Sequence, residues 1–389
     1  MPSAAPEIPV VDMVDLFAGP GGLDVAAKWL GIKTVGIEFD ANACATRTAA
    51  ELGTVMADVT DCMPSDYPAK VLAGGPPCQT YSVAGNGAGR ERLDHIRDLV
   101  HRMGDSDSVD VAPELSGLDD VRTGLVLEPL KWALQAERRG CPYDTIVLEQ
   151  VPTVLPVWEA YAEVLKQNGY DADAKVLCAE EYGVPQTRRR AILIARRDGA
   201  VLWPDKTHQK FVRGGRAQDD AEKQQRWVSM QRALGREDEF VVISNYGTGG
   251  VSTARGERRF DEPAYTVTGK VSRNRIVDSR GKYVANLSSE DAGRLQTFPY
   301  DYPWSGLDVS QQIGNAIPPR LAAHVLCVAV FGQQASSEAL DVAVSSSWKV
   351  TRQGVPGLRS TEPAARTDAE PAIDQDRQLA LLERPALAV

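Results

Sequence analysis

The sequence contains no CxxC pair, and its six cysteines are scattered along 389 residues. This spacing argues against a disulfide framework or a zinc site and favours a reducing, cytoplasmic location. No run approaches the roughly 18–20 consecutive apolar residues that a membrane helix needs. The N-terminal segment lacks a basic region followed by an apolar one, so no signal peptide is expected. A disulfide-rich secreted domain and a membrane-spanning protein are therefore not expected.

Positive charge is scarce overall but concentrated in two stretches. The formal net charge is −10, which on average argues against a nucleic-acid partner. From Gln186 to Arg232, however, twelve Lys or Arg stand against five Asp or Glu, a net of +7. From Val251 to Lys282 eight stand against four, a net of +4. A basic face that binds a polyanion such as DNA and a solvated surface with scattered arginines both fit these counts.

Short apolar runs alternate with helix-like segments in the first part of the chain. Runs rich in Val and Ile are typical of strands in βαβ units, so they predict an α/β fold with a sheet covered on both faces. Val176–Leu177 and Ala191–Ala195 are expected to add a hairpin at the sheet edge. The other predicted strands are Val11–Phe17, Lys33–Phe39, Thr54–Met56, Val71–Ala73 and Thr145–Leu148.

The later part of the chain is less regular. Arg197–Phe260 shows no clear periodicity, which predicts a small irregular domain. Helices are predicted at Ser288–Gln296, where the serine suits an N-cap, and at Ala322–Val330. After Gln333 the composition shifts to Ser, Ala, Pro, Glu and Asp, so this tail is expected to be disordered and dispensable. Arg102–Asp120 is acidic and is interpreted as a surface insertion.

Distinctive residues directly follow nearly every predicted strand. In an open α/β sheet the ligand crevice lies at the carboxyl ends of the strands, so these residues are expected to converge on one site. They are Gly19–Gly22 (GPGG), Glu38, Asp58, Gly74–Cys78 (GGPPC) and Glu149.

The glycine turn at residues 19–22 and two carboxylates indicate a site for an adenosine-containing cofactor. Glycines allow close backbone approach, Glu38 can accept hydrogen bonds from ribose hydroxyls, and Asp58 can accept one from an adenine amino group. The turn does not match GxGxxG, and no GxxxxGK[ST] loop is present, which disfavours a dinucleotide or a triphosphate. Taken alone, the turn is equally well a simple tight turn.

Cys78 follows two prolines and precedes a loop rich in Gly and Ser. A rigid platform that holds a cysteine beside a mobile loop suits a nucleophile, whereas a lone cysteine is more often an inert core residue. Glu149 is either a general acid or a helix cap. Arg188 and Arg190 suit either a substrate oxygen or a surface ion pair. The other cysteines and the four histidines are assigned structural roles.

In their order, these segments resemble the DNA (cytosine-5)-methyltransferase family. PPCQ, QxRxR and GNxxPP in this order form a specific combination, and the resemblance extends from Val11 to about Val330. One departure is Glu149–Gln150–Val151, where the family usually has ENV. The carboxylate is kept, and the amide carries one more methylene. The matching segments are DLFAGPGGL, IEFD, ADVTD, GGPPCQTYS, EQV, QTRRR, DEPAYTVTG and IGNAIPP.

The resemblance implies the domain organisation. Residues 10–196 would form a Rossmann-like, mixed-sheet methyltransferase domain, and residues 197–284 a smaller irregular target-recognition domain. Residues 285–332 would return to the first domain, and residues 333–389 would form the disordered tail.

The resemblance also implies the chemistry. Cys78 would add to C6 of a cytosine flipped out of double-stranded DNA, Glu149 would contact and protonate N3, and Arg188 and Arg190 would contact the substrate. The implied partners are duplex DNA and a cognate restriction endonuclease, the expected state is a monomer, and no metal is predicted. The cofactor would be S-adenosylmethionine, held by Phe17, Gly19, Gly21, Gly22, Glu38, Asp58 and Asn315, the last of which would also join the two domains.

Three other functions fit parts of the pattern. An RNA cytosine-5 methyltransferase shares the fold, but the sizeable segment between QTRRR and DEPAYTVTG favours DNA. A non-catalytic DNA-binding relative would not need both Cys78 and Glu149. A nicotinamide oxidoreductase would be expected to carry GxGxxG.

Overall fold

A seven-stranded sheet is the centre of the computed structural model, which describes residues 11–77, 87–105, 121–214, 224–244 and 256–363. The strand order is β3-β2-β1-β4-β5-β8-β6, and all neighbours are parallel except that β8 runs antiparallel to both β5 and β6. The strands are β1 (Met13–Leu16), β2 (Thr34–Glu38), β3 (Thr54–Met56), β4 (Val71–Gly74), β5 (Thr145–Gln150), β6 (Asp171–Cys178) and β8 (Arg189–Arg196).

The predicted α/β class and all the predicted strands are confirmed. The antiparallel pair lies at the sheet edge, as expected, with β6 outermost and β8 inserted between it and β5. Alternate residues of β1 and β5 enter two separate apolar cores, one on each face of the sheet. A sheet covered on both faces explains the continuous apolar runs in the sequence.

Helices cover both faces of this sheet. One core includes the first helix and a long C-terminal helix, and the other includes the three helices that precede or follow β5. The serine at the predicted N-cap, Ser288, accepts a hydrogen bond from the backbone N–H of Asp291 at 3.0 Å. Both predicted helices are confirmed. The helices of this part are α1 (Gly22–Leu30), α2 (Ala41–Ala49), α3 (Gly87–Asp105), α4 (Glu128–Arg138), α5 (Leu155–Gln167), α6 (Met230–Leu234), α7 (Ser289–Leu295), α8 (Val309–Asn315) and α9 (Pro319–Phe331).

A second, antiparallel sheet with the order β10-β9-β12-β13 lies within residues 240–286. The expectation of an irregular domain is therefore wrong for these residues, because strands of four or five residues are too short to show a period among polar neighbours. A two-residue parallel pairing of β7 with β11 connects this segment to the first sheet. The strands are β7 (Gln186–Thr187), β9 (Phe240–Ser244), β10 (Gly256–Arg259), β11 (Ala264–Tyr265), β12 (Asn274–Asp278) and β13 (Tyr283–Asn286).

One stretch, Val309–Phe331, is long and apolar enough to cross a membrane by length and composition alone. In the fold, 83% of its most apolar part is buried inside the protein. It comprises α8 and α9, and α9 packs against α1. A buried core helix accounts for this composition.

The prediction of a disordered tail from Gln333 onward is wrong for residues 333–363. They form β14 (Gln333–Ala335), α10 (Ser337–Ser345), α11 (Trp348–Thr351) and β15 (Arg359–Pro363), called here the C-terminal subdomain. Its few large apolar side chains, Leu340, Trp348 and Leu358, are buried in the core that contains α1 and α9. These side chains are too widely spaced to produce a periodic pattern, and residues 364–389 lie outside the described part of the chain.

The interpretation of Arg102–Asp120 as a surface insertion also needs correction at its start. Residues 102–105 continue α3, and Met103 is completely buried against the second core. Residues 106–120 lie outside the described ranges.

Candidate active site

The glycine turn lies where the strand order reverses, at the carboxyl ends of β1 and β4. Phe17 and Gly19 adopt left-handed backbone conformations, with φ of 59° and 54°. A Cβ added at Gly19 would meet nothing within 4 Å, whereas one added at Gly22 would lie 2.4 Å from the carbonyl oxygen of Ile317. Gly19 therefore faces open space that a ligand can use, and Gly22 is required for close packing.

The two predicted ligand carboxylates lie at the ends of β2 and β3. Glu38 accepts hydrogen bonds from the backbone N–H groups of Gly19 and Asp40, each at 2.7 Å, so its carboxylate is held at the glycine turn. Asp58 caps a short helical turn by accepting from the backbone and hydroxyl of Thr60, both through Oδ1. Both groups keep acceptor capacity for a ligand.

Two apolar side chains at the same rim are absent from the sequence-based prediction. Phe39 follows Glu38 directly and is 72% exposed, and Met56 at the end of β3 is 65% exposed. Large apolar side chains left in solvent beside two carboxylates suit the flat face of a purine. The signal available in the sequence was an aromatic residue immediately after the carboxylate that ends a predicted strand.

A buried cluster of charged side chains packs against the glycine turn. Arg47 and Asp24 form two hydrogen bonds, at 2.6 and 2.9 Å, and both side chains are fully buried. A Cβ at Gly36 would lie 2.0 Å from the Arg47 guanidinium, so this ion pair requires glycine there. Burial, together with the charge of Asp24, raises the pKa of Asp15 well above its usual range, which favours its neutral form.

Glu149 and Arg190 form a buried pair beside the loop after β4. The Arg190 Nε lies 2.5 Å from the Glu149 Oε1. That oxygen is buried and has no aligned hydrogen-bond donor among the described residues. A carboxylate oriented by an arginine and lacking a directional partner can accept a further donor or carry a proton for a ligand.

Gln150 links β5 to the loop that leads to the predicted nucleophile. Its amide Nε2 donates to the carbonyl oxygen of Pro76, and its Oε1 accepts the backbone N–H of Val151 at 2.5 Å. The longer side chain at this family position thus reaches the loop two residues before Cys78. Cys78 itself lies outside the described residues.

Arg188 is bonded to segments that are distant in the sequence. It is completely buried, and its guanidinium donates to the carbonyl oxygens of Val267, Gly314 and Ala316 at 2.9 to 3.0 Å. All these bonds are to backbone of other segments, and a contact of Arg188 with the substrate stays a prediction. Alternation along the strand could not reveal these bonds, since the partners are 79 to 128 residues away in the sequence.

Gln186 extends the same buried network. Its Nε2 donates to the carbonyl of Leu295 and to the side-chain oxygen of Gln296, and its Oε1 accepts the backbone N–H of Val267. Asn315 lies exposed at the end of α8, where its side chain accepts from Gln311 at 2.7 Å. Its assignment to the cofactor stays a prediction, and the contact of this motif with the glycine turn is made by Ile317.

The cysteines outside the rim are core or surface residues, as expected. Burial raises the pKa of Cys178 to about 11 and that of Cys327 to about 12, which keeps both as thiols. Cys141 is exposed. The buried histidines have structural positions as well, since burial lowers the pKa of His208 to about 4 and that of His324 well below its usual range.

The sheet order and its single antiparallel strand define an α/β methyltransferase fold. The structure of the S. pombe Dnmt2 methyltransferase is similar, with a TM-score of 0.53 at 13% identity, covering 82% of this chain and 98% of that one. Residues 11–101 and 144–328 match the model of the C-5 cytosine-specific DNA methylases. The chain belongs to this family and is a DNA (cytosine-5)-methyltransferase.

Bacterial relatives support this assignment. Type II methyltransferase M.AplI of Arthrospira platensis is 27% identical over 336 residues, which cover 80% of this chain and 83% of the relative. Type II methyltransferase M.Eco47II of Escherichia coli is 26% identical over 356 residues, covering 80% and 77%.

Proposed function

We propose that this chain methylates C5 of a cytosine flipped out of a specific duplex DNA sequence, through a transient bond between Cys78 and C6. The observation that carries the proposal is the buried Glu149–Arg190 pair at the end of β5. It adjoins the loop of Gly75 and Pro76, since a Cβ at Gly75 would lie 3.4 Å from the Glu149 Oε2.

S-adenosylmethionine, when bound, supplies the methyl group. The residues at the rim fit it, because Gly19 leaves open space and Glu38 and Asp58 offer carboxylate oxygens for hydroxyl and amino donors. The exposed side chains of Phe39 and Met56 offer an apolar surface for adenine. Asn315 is proposed to complete this site from the last motif.

The side chains of this chain activate the ring. The Cys78 thiolate adds to C6 of cytosine and Glu149 donates a proton to N3, so that C5 becomes nucleophilic. Arg190 holds the carboxylate in position. After C5 has accepted the methyl group, a base removes the C5 proton, the C5–C6 double bond re-forms, the sulfur leaves C6 and the N3 proton returns to Glu149. Because C6 is inaccessible in a stacked duplex, the cytosine must leave the helix first.

The segment of residues 197–284 is proposed to recognise the target. Its net positive charge favours contact with phosphates, and its second sheet offers strands for reading base edges. The relatives are named Type II methyltransferases, which supports a restriction–modification role with a cognate endonuclease as partner. A cytoplasmic monomer completes the proposal.

Trapping with a substrate analogue tests the mechanism. Sequencing host DNA for 5-methylcytosine after expression would first identify the target site. A duplex with 5-fluorocytosine at that site, incubated with S-adenosylmethionine, should then become covalently attached through Cys78, because fluorine cannot leave as a cation. Peptide mapping locates the bond, and Cys78→Ala should abolish it while DNA affinity stays within a few-fold. An adduct on another cysteine, or a methylating enzyme that forms no adduct, would contradict the mechanism. Methylation of tRNA instead of duplex DNA would contradict the substrate.

A further inference from the structure

A cavity of about 240 Å³ lies between the first sheet and the segment of the second sheet. Four cationic side chains line it. Arg189 begins β8, Arg258 belongs to β10, and Lys210 and Arg213 come from the connection between them. Glu180 is the one carboxylate in its wall. This cavity is called the basic pocket below.

Arg258 is the most constrained of these cations. It is 8% exposed, and its guanidinium lies between the rings of Phe211 and Tyr265, at 4.5 and 4.2 Å from their centroids. Its Nη2 reaches the Thr187 hydroxyl only at 3.5 Å, and no described residue is a hydrogen-bond partner of its buried Nε. Stacking therefore fixes the guanidinium plane and leaves donors at its edge for a ligand.

The part of the chain that the structure describes does not balance the charge of the pocket. Among the described residues, none of the four cations forms a salt bridge. Burial also raises the pKa of Glu180 to about 7, so that it supplies only part of a negative charge near neutral pH. Like charges gathered around a cavity repel one another unless an anion joins them.

The chemistry of the lining selects a phosphate rather than a base. The face of Phe211 is already covered by Arg258, which leaves little room for a base to stack on it. Arginine and lysine donors are suited to phosphate oxygens. One lining residue, Arg189, directly precedes Arg190, whose guanidinium contacts Glu149.

We propose that the basic pocket binds one backbone phosphate of the duplex DNA substrate. Since Thr187 and Arg189 come from the catalytic part and Arg258 from the recognition part, this phosphate would set the position of the duplex across both. The proposal rests on the proposed function, in that DNA is the substrate.

Salt-dependent binding is the first test. Binding of the target duplex is measured at salt concentrations from about 50 to about 200 mM, over which the loss of phosphate contacts changes the affinity measurably. Arg258→Met and Lys210→Met should each weaken binding about tenfold, and the slope of log affinity against log salt should fall by about 1. Arg139→Met, an exposed arginine outside the pocket, is the matched control and should change neither quantity. Lys210 is exposed, so its variant remains informative if Arg258→Met does not fold.

A double-substitution cycle identifies the phosphate. Neutral methylphosphonates replace the phosphates of the duplex one at a time, and one position should weaken wild-type binding but not binding by Arg258→Met or Lys210→Met. Additive losses at every position would overturn the proposal. The proposal would also be overturned if the cycle stayed additive while inorganic phosphate raised the thermal midpoint of the wild type but not that of the variants. The pocket would then bind free phosphate. A wild type that shows coupling but modifies no cytosine would refute the proposed function and leave the pocket standing.

Discussion

Glu149 and Arg190 meet at the carboxyl end of β5 with little access to water, since their side chains are 9% and 12% exposed. In such surroundings a charge interacts strongly with its partner, so the arginine fixes the position of the carboxylate. Glu149 is therefore the side chain whose replacement is most informative.

Glu149→Gln keeps the shape of this side chain but removes its proton-donating group. We expect the single-turnover methylation rate to fall about 10²- to 10⁴-fold, the usual contribution of general acid–base catalysis. Glu128→Gln is the control, because Glu128 is also buried and pairs with a different cation, Lys131, at 3.2 Å. Its rate should match that of the wild type. Equal losses in both variants would indicate a stability effect instead.

The carboxyl of Glu180 gives DNA binding a predictable pH dependence. Burial raises its pKa to about 7, with Glu181 contributing to the rise and Lys210 and Arg189 opposing it. The group is neutral below this pH and negative above it, so DNA affinity should decrease as pH rises from about 6 to 8. Glu180→Gln should bind more tightly than the wild type at pH 8 and equally at pH 6. Parallel pH profiles for the two proteins would refute this.

The same pKa predicts a change in stability. The folded protein holds this proton more tightly than the unfolded chain, so the contribution of Glu180 is present at low pH and is lost as pH rises towards 7. As the pH rises towards 7, the thermal midpoint of the wild type should therefore fall relative to that of Glu180→Gln.

At the scale of elements, the short strand β7 and the residue after it hold the last motif in place. Gln186 forms hydrogen bonds with the last residue of α7 and with Val267, two residues after β11. Arg188 donates to the carbonyl oxygens of Val267 and of the residue directly after α8. These polar groups are buried, and each would be costly to leave unpaired. Gln186 and Arg188 of the QxRxR pattern thus have structural roles, whereas Arg190 is the residue of the pattern that contacts Glu149.

Arg188→Met would remove the guanidinium donor from three buried carbonyl oxygens, of which that of Ala316 also accepts from the Gln296 Nε2. We expect the free energy of unfolding to fall by about 3 kcal/mol or more, measured by chemical denaturation. Arg189→Met at the neighbouring exposed position should change it by less than about 0.5 kcal/mol. The second variant should instead weaken DNA binding, since Arg189 lines the basic pocket. Equal stabilities of the two variants would contradict the structural role of Arg188.

At the scale of the whole molecule, the C-terminal subdomain connects parts that are distant in the chain. Asp341 accepts hydrogen bonds from Arg320 of α9 at 2.5 Å and from Arg232 of α6 at 3.2 Å. Trp348 donates through Nε1 to the carbonyl of Ala50, and Asp301 accepts its backbone N–H. The subdomain thereby contacts α6, α9 and the residue directly after α2.

Trp348→Ala tests this packing with a single substitution. Trp348 is 3% exposed, so its removal should cost about 3–5 kcal/mol of unfolding free energy. Val350→Ala, in the same helix at 66% exposure, is the matched control and should cost less than about 0.5 kcal/mol. Deletion after Gly332 should reduce soluble protein, whereas deletion after Pro363 should not. A Trp348→Ala protein as stable as the wild type would restore the expectation of a dispensable tail.

The amino-acid sequence by itself determined the strands of the first sheet, the class of fold and the position of three carboxylates at strand ends. Each of these depends on information that is local in the chain: a short apolar run, a glycine turn, or a carboxylate directly after a strand. The rule that parallel strands present their carboxyl ends to one crevice then places Glu38, Asp58 and Glu149 together without any knowledge of packing.

Tertiary structure alone decided which arginine faces the site, what Gln150 contacts, and that residues 333–363 fold. Arg188 finds its acceptors 126 and 128 residues later, and Trp348 finds Ala50 at a separation of 298 residues. The basic pocket likewise combines Thr187 with Arg258 across 71 residues. Such contacts follow from how sheets and helices pack, and a periodic pattern within one segment carries no information about the segment it will meet.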